Sequence, residues 1–343
     1  VNDRSAERLS SPDTRRRRIL VASGAVLAAP ASALAQSASA SIPRIGFLGA
    51  ATPEAWATRL DAFRAGLRDL GYVDGRTIVI EYRFAGGKYE RLPELAAELV
   101  RLKVDVIVTH AAPGALAAKQ ATANTPIPVV ITNVGDAVGW GIVDNLARPG
   151  GNITGDTFFV TELAAKRLEV LKDALPRVRR VAVLANPDNP RMGQSFDAME
   201  AVARDLNLVM LRILARQPAD LDGAFAAMAK ERADAVTVLE DAAVFIPQGR
   251  RIAALAIAQR LPAISSTEFA DAGGLLGYGV DFLALYRRAP VFVDRILKGA
   301  KPGDIPFERP TKFEYVINLK TASALGVSIS QATRLRADRV IEA

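Results

Sequence analysis

Residues 104–114 read VDVIVTHAAPG, and residues 179–186 read RRVAVLAN. Both are short β-branched runs that stay apolar without alternating. A strand with one wet face alternates; a strand covered on both faces does not. The residues after the first run matter as much. Small residues and a proline at Pro113 are suited to the first turn of a helix, where a missing N–H costs nothing. Strand leading directly into helix is the unit of a parallel sheet with helices on both faces.

The same unit recurs along the chain. Strands are expected at 44–48, 77–82, 104–109, 128–132, 153–156, 180–184, 209–214, 235–239, 263–265 and 275–279. Amphipathic helical patterns lie between them, at 53–70, 89–102, 162–175, 195–206, 221–232 and 249–260. One sheet of ten strands would be large, and LARPGGNITGDTFF (146–159) breaks the rhythm with Pro-Gly-Gly before a fresh strand. The expectation is therefore an α/β fold of two doubly wound parallel-sheet lobes. The first lobe takes 42–157 plus 277–311, and the second 158–276 plus 312–343. A crossing near 277–281 sends a helix at 282–297 back to the first lobe, and FEYVINLKTASALGV adds a last strand and helix to the second.

The region before residue 42 reads differently. RRRRILVASGAVLAAPASALAQ (15–36) sets four arginines before an apolar stretch that closes on Ala33-Leu34-Ala35. A membrane span needs about 20 apolar residues, and this run is shorter, alanine-rich and interrupted by Pro30. A basic segment, an apolar core and a small-x-small site are the parts of an export signal. Residues 1–35 are read as that signal, cut after Ala35, with 36–41 as a linker. Arg16-Arg17-Arg18-Ile19-Leu20 is similar to a twin-arginine address, although any basic segment would serve the general route. The expected location is the periplasm, without a lipid anchor, since no cysteine stands at the cut. The leader holds six basic and three acidic residues, so the formal charge of +7 falls to about +4 beyond it. That charge is spread without a dense stripe, which argues against nucleic acid as a partner.

One histidine and no cysteine exclude most catalytic constellations. A Ser-His-Asp triad has only His110 to draw on, and no His/Cys metal cluster can be assembled. AGGKYE (85–90) lacks the spacing of a phosphate loop, and GFLGAATPEA (46–55) replaces the glycine fingerprint of a dinucleotide site. No catalytic residue, metal or cofactor is expected.

In open α/β sheets ligands bind beyond the carboxyl ends of the strands. The residues there are Ala50, Ala51 and Thr52; Tyr82; His110, Ala112 and Pro113; Asn133 and Asp136; Asn186; and Asp241 beside Glu240. Phe158, Phe269 and Tyr278 are further aromatic candidates to cover an apolar ligand. Each polar position also has a plain reading as a helix cap or turn former, and Tyr82, His110 and Trp140 as packing.

The stretches PRIGFLGAATPEA (43–55), LARPGGNITGDTF (146–158), ELAAKRLEVLKDALPRVRRVAVLANPDNP (162–190) and RRIAALAIAQRLPAISSTEFADAGGLLGYG (250–279) resemble the ABC-transporter substrate-binding protein family related to tryptophan-binding lipoproteins. The likeness runs over nearly all of 42–326. It implies a type I periplasmic binding protein fold, with three crossovers forming a hinge and a closing cleft. It implies an aromatic or amino-acid-like ligand bearing a carboxylate, and partnership of a monomer with a permease and its ATPase. Matched by position, it carries over Ala50–Thr52, Tyr82, Ala112-Pro113, Asp136, Asn186, Asp241 and Tyr278-Gly279 as site residues. His110-Ala111-Ala112 departs from the Gly- or Thr-rich residues of relatives, and the lipoprotein cysteine is missing. The carboxylate is expected on N–H groups at the helix starts after Ala50 and Ala112, and Asp241 as partner of any α-amino group. A sensor presenting its closed form to a membrane receptor is the alternative, and an α/β hydrolase or transferase resting on His110 is a third.

Overall fold

A computed structural model describes residues 42–189 and 192–342. The export signal and linker expected at 1–41 lie outside the described residues. In chain order the elements are β1 (Arg44–Gly49), α1 (Ala57–Asp69), β2 (Val79–Phe84), α2 (Leu92–Arg101), β3 (Val106–His110), α3 (Ala111–Thr122), β4 (Val129–Val134) and β5 (Ile153–Thr157). They continue with α4 (Val160–Ala174), β6 (Arg180–Ala185), α5 (Met192–Asp205), β7 (Val209–Leu214), α6 (Leu221–Lys230), β8 (Ala235–Val238), α7 (Gly249–Ala258) and β9 (Ala263–Ser265). The last are α8 (Thr267–Asp271), β10 (Leu276–Gly279), α9 (Phe282–Leu297), β11 (Glu314–Asn318), α10 (Leu319–Leu325), α11 (Gln331–Leu335) and β12 (Arg339–Ile341).

Two sheets result. The first is five-stranded and wholly parallel in the order β2-β1-β3-β4-β5; the second has seven strands, β12-β11-β10-β9-β8-β6-β7. Among the described strands only β10 and β11 pair antiparallel. The doubly buried strands behave as their composition requires. On β3, Val106 and Val108 enter the core under α1 and α9, while Ile107 enters the one under α2 and α3. On β6, Val181 and Val183 face one layer and Ala182 and Leu184 the other. Every residue of β3 is buried.

The chain passes between the lobes three times: after β5, after β10 and before β11. The helix expected to return to the first lobe is α9, which packs along α1 and onto β4 and β5. The lobe boundary needs one correction. β10 pairs with β9 and β11, so residues 277–279 belong to the second sheet and the chain leaves it at 280–281. Gly277 answers to packing: a Cβ at that position would lie 2.7 Å from the Ser266 carbonyl oxygen at the start of α8.

Two local features position the cleft. The loop after β1 forms a turn before the helix, with the Trp56 N–H bonded to the Thr52 carbonyl at 3.1 Å, so α1 begins at Ala57 and not at Pro53. Between β4 and β5 the pairing slips. Ile131 lies opposite Gly155 and Val134 opposite Thr157, which leaves one extra residue on β4. Such a bulge re-aims a side chain. Here it turns Asn133 to φ +59°. The slip needs a close approach that only glycine permits, because a Cβ on Gly155, at φ +149°, would overlap the Ile131 backbone. Gly155→Ala is expected to destabilise the protein by about 1–3 kcal/mol, the usual cost of overpacking, read as a lower urea midpoint with an unchanged slope.

Candidate functional site

A cavity of about 90 Å³ opens between the lobes at the carboxyl ends of their strands. That exceeds the space a single water needs several-fold. The first lobe contributes Ala111, Ala112 and Pro113 from the start of α3, Asn133 and Gly135 from the end of β4, Trp140, and Tyr89. The second contributes Ala185, Asn186 and Asn189 after β6, Met192 and Ser195 on α5, and Leu239 to Ala242 with Ile246 after β8. Phe158, Val160 and Phe282 line it from the crossing segments.

The first turn of α3 is its electropositive element. No side chain caps that end. The first N–H groups of a helix have no partner within it, and they carry the positive end of the helix dipole. Ala111, the residue that begins the turn, is held at φ +56°. A left-handed alanine is costly, and such strain gathers where a ligand is clamped. Among the described residues no lysine or arginine lines the cavity.

The two acids after β8 are held differently. Glu240 receives both terminal nitrogens of Arg167, Nη1 at 2.7 Å, and the Arg167 Nε donates to the Tyr278 carbonyl at 2.8 Å. Arg167 is fully buried. Asp241 accepts on Oδ1 from the N–H groups of Ala243 and Val244, at 3.2 and 2.8 Å, and on Oδ2 from the Tyr89 hydroxyl at 3.1 Å. The Asn186 side chain also favours its charged form. Burial pushes the Asp241 carboxyl above the usual carboxylate range, and these bonds oppose the shift.

Beneath the floor lies Asp156, fully buried on β5. Its Oδ1 accepts the Asn133 N–H at 2.6 Å and so holds the bulge. Loss of hydration raises its carboxyl to about 7; the Asn133 bond and the Arg288 guanidinium oppose the rise, and Glu308 adds to it.

Six expected site residues meet at the cavity: Ala112, Pro113, Asn133, Phe158, Asn186 and Asp241. The others lie elsewhere. Ala50 and Ala51 are buried beneath the first loop, their carbonyls bonded to the Gly87 and Gly86 N–H groups. The Ala50 N–H, expected to hold a carboxylate, donates to His110 Nε2 at 3.2 Å. Thr52 is exposed and bonds the Ala55 N–H. Tyr82 sits within β2, not at its end, stacked on Phe84 with its hydroxyl bonded to Arg64 Nε at 3.0 Å. His110 is an interior residue: its ring stacks on Trp56 at 4.6 Å, and burial together with the Arg59 charge lowers it to about 3. It stays neutral and away from the cavity. Asp136 closes an exposed turn by accepting the Gly139 N–H at 2.9 Å. Phe269 packs within the second lobe, and Tyr278 stacks on Phe313.

Sequence reasoning missed Tyr89, Met192, Ser195 and Phe282, named Asn189 only as part of the loop after β6, and set Trp140 aside as packing. Trp140 does both, packing against the first-lobe core and walling the cavity. Tyr89 carries no signal in the sequence beyond its place after Gly86-Gly87. Among the described residues no group of His, Cys, Asp and Glu suits a metal ion, and no helix is long and apolar enough to cross a membrane.

Comparison with known proteins adds four likenesses. The family model described as ABC transporter substrate binding protein matches residues 52–341. A curated tyrosine-binding protein of Clostridioides difficile is 27% identical over 275 residues, 80% of this chain and 78% of its own. Among solved structures, a conserved domain protein from Vibrio cholerae superposes with a TM-score of 0.79 at 25% identity, covering 87% of this chain and 99% of that one. An ABC domain from Streptococcus pneumoniae in complex with L-Trp gives 0.79 at 24% identity, covering 88% and 100%.

Asp156 gives the cleft floor a pH dependence of known sign. The folded chain keeps a proton that the unfolded chain releases near pH 4, so this contribution to stability is full below about pH 4 and lost as pH rises through about 7. Asp156→Asn cannot lose that proton. Relative to wild type, the variant's unfolding midpoint should climb between about pH 4 and about pH 7 and level off above, as thermal scans at matched ionic strength would show.

Proposed function

The chain belongs to the ABC transporter substrate-binding protein family, and on that footing we propose that it delivers a small aromatic carboxylate to an inner-membrane permease and its ATPase. It works as an exported monomer in the periplasm, freed of residues 1–35. One observation carries the ligand class. The uncapped start of α3 opens into a cavity walled by Trp140, Phe158 and Phe282, with no basic side chain among the described residues to serve in its place. Helix N–H groups are sufficient for a carboxylate, and aromatic rings are a fitting wall for a flat apolar body. The carboxylate rests on Ala111 and Ala112, beside Asn133 on its bulge. Asn186 and Asp241 reach the ligand region from the second lobe, so a bound solute bridges both sides and selects the closed arrangement.

Aromatic acids and aromatic amino acids should raise the unfolding temperature in a thermal-shift screen. A ligand at about 100 times its Kd adds about 2.7 kcal/mol of apparent stability. If no aromatic carboxylate shifts the transition, this reading of the cleft fails. Asn133→Asp keeps the size of the side chain and tolerates the left-handed backbone, but it sets a negative charge beside the bound carboxylate. Calorimetry should then show at least a tenfold loss of affinity, about 1.4 kcal/mol. Export has its own check: intact-mass analysis of protein released by osmotic shock should find a chain beginning at Gln36.

A further inference from the structure

Resting on the reading of the cleft as a carboxylate site, we propose that Asn133 sets a second requirement on the ligand. It selects acids that carry an O–H or N–H donor on the carbon next to the carboxylate. Asn133 is 8% exposed and lines the cavity. Its Oδ1 is buried and has no hydrogen-bond partner. Few native acceptors stay in that state, because a buried polar group without a partner costs free energy. The surrounding backbone offers no relief. The Asn133 N–H is given to Asp156, and the slip between β4 and β5 holds the residue at φ +59°. A strained residue that presents an unpaired acceptor to a cavity is placed for a solute.

Strand register decides which atom of the solute it meets. His110 on β3 lies opposite Thr132 on β4, so Ala111 and Asn133 leave neighbouring strands side by side. A carboxylate on the first N–H groups of α3 therefore has the Asn133 side chain beside it. An ionised carboxylate accepts only, so it cannot satisfy Oδ1. The group that can is the next one along the ligand, an α-hydroxyl or an α-ammonium. An ammonium has further N–H groups to place. Glu240 faces the same cavity from the second lobe and accepts from Arg167 once on each oxygen, which leaves it capacity for them. An acid with no α-donor buries Oδ1 unpaired. Sites built around a ligand's polar hydrogen reject analogues that lack it.

Titration calorimetry with 3-phenylpropionate, 3-phenyllactate and phenylalanine tests this, the last two as separate enantiomers. The better enantiomer of at least one α-substituted acid should bind at least about tenfold more tightly than 3-phenylpropionate. The tighter of the two names the donor as hydroxyl or ammonium, and either supports the proposal. Equal binding of all three overturns it and leaves the carboxylate reading standing. Failure of all three to bind overturns both. Asn133→Gly removes Oδ1 but keeps the left-handed backbone and the N–H that Asp156 binds. In that variant the preference should fall to about threefold or less. Asn133→Asp keeps an acceptor at the same place, so the preference should persist while 3-phenylpropionate binds more weakly. Unfolding midpoints verify that the variants are folded. An undiminished preference in folded Asn133→Gly overturns the proposal, as does its loss in folded Asn133→Asp.

Discussion

Parallel pairing is the constraint on which the cleft depends. When neighbouring strands run the same way, every carboxyl end falls on one edge, and each succeeding helix must begin there. All pairs of the first sheet are parallel, as are β6 through β10 of the second. Helix starts, with their unpartnered N–H groups, are thereby gathered at the edge of each sheet. The antiparallel pair, β10 with β11, joins the final strand and helix to the second lobe and takes no part in the cavity. The site is thus a product of topology first and of side chains second.

Within that frame the polar groups at the cleft are held by opposite means. Glu240 is neutralised by a fork of Arg167 nitrogens, and Asp241 by neutral donors. Asp156 has the backbone N–H of Asn133 and an Oδ2 without a partner. A buried carboxyl with so little support is expensive when charged. Its burial and the bulge are linked: the slip that frees Asn133 from regular pairing exposes the N–H that Asp156 binds. Strain at Ala111 and Asn133 belongs to the same arrangement, because both left-handed residues line the cavity and both stand at the ends of buried strands.

The fold was legible because doubly buried strands and amphipathic helices leave periodic marks that packing must obey. The return of α9 to the first lobe was readable for the same reason. Two elements near the end were not. β12 spans Arg339–Ile341, too short for a pattern, and the direction of β11 relative to β10 depends on where the third crossing lands. The site was legible only as far as strand ends go. Which loop residue faces the ligand depends on a turn or on a single slip of register. The bulge brings Asn133 to the cavity and leaves Asp136 in an exposed turn. The turn at 52–56 delays α1 and directs the Ala50 N–H to His110. Tyr89 reaches the cavity because a Gly86-Gly87 turn swings it across to Asp241. None of these outcomes has a mark in composition or spacing.

The contacts between the lobes decide what a ligand must do. Arg59 on α1 pairs with Glu268 on α8, and its guanidinium lies 4.6 Å from the centre of the Trp56 ring. Ala242 and Ile246 of the second lobe join the apolar cluster that holds Trp56, Ala50 and Ala51 of the first. The ion pair gains Coulomb energy, but Arg59 is almost wholly buried and its Nε has no acceptor, so lost hydration offsets much of that gain. Such a pair fixes the geometry of closure more than it drives closure. Tyr89 of the first lobe also packs against the second-lobe cluster that holds Ala243, Val244 and Phe245. On the proposed function, a solute that touches both lobes adds contacts that neither lobe supplies alone.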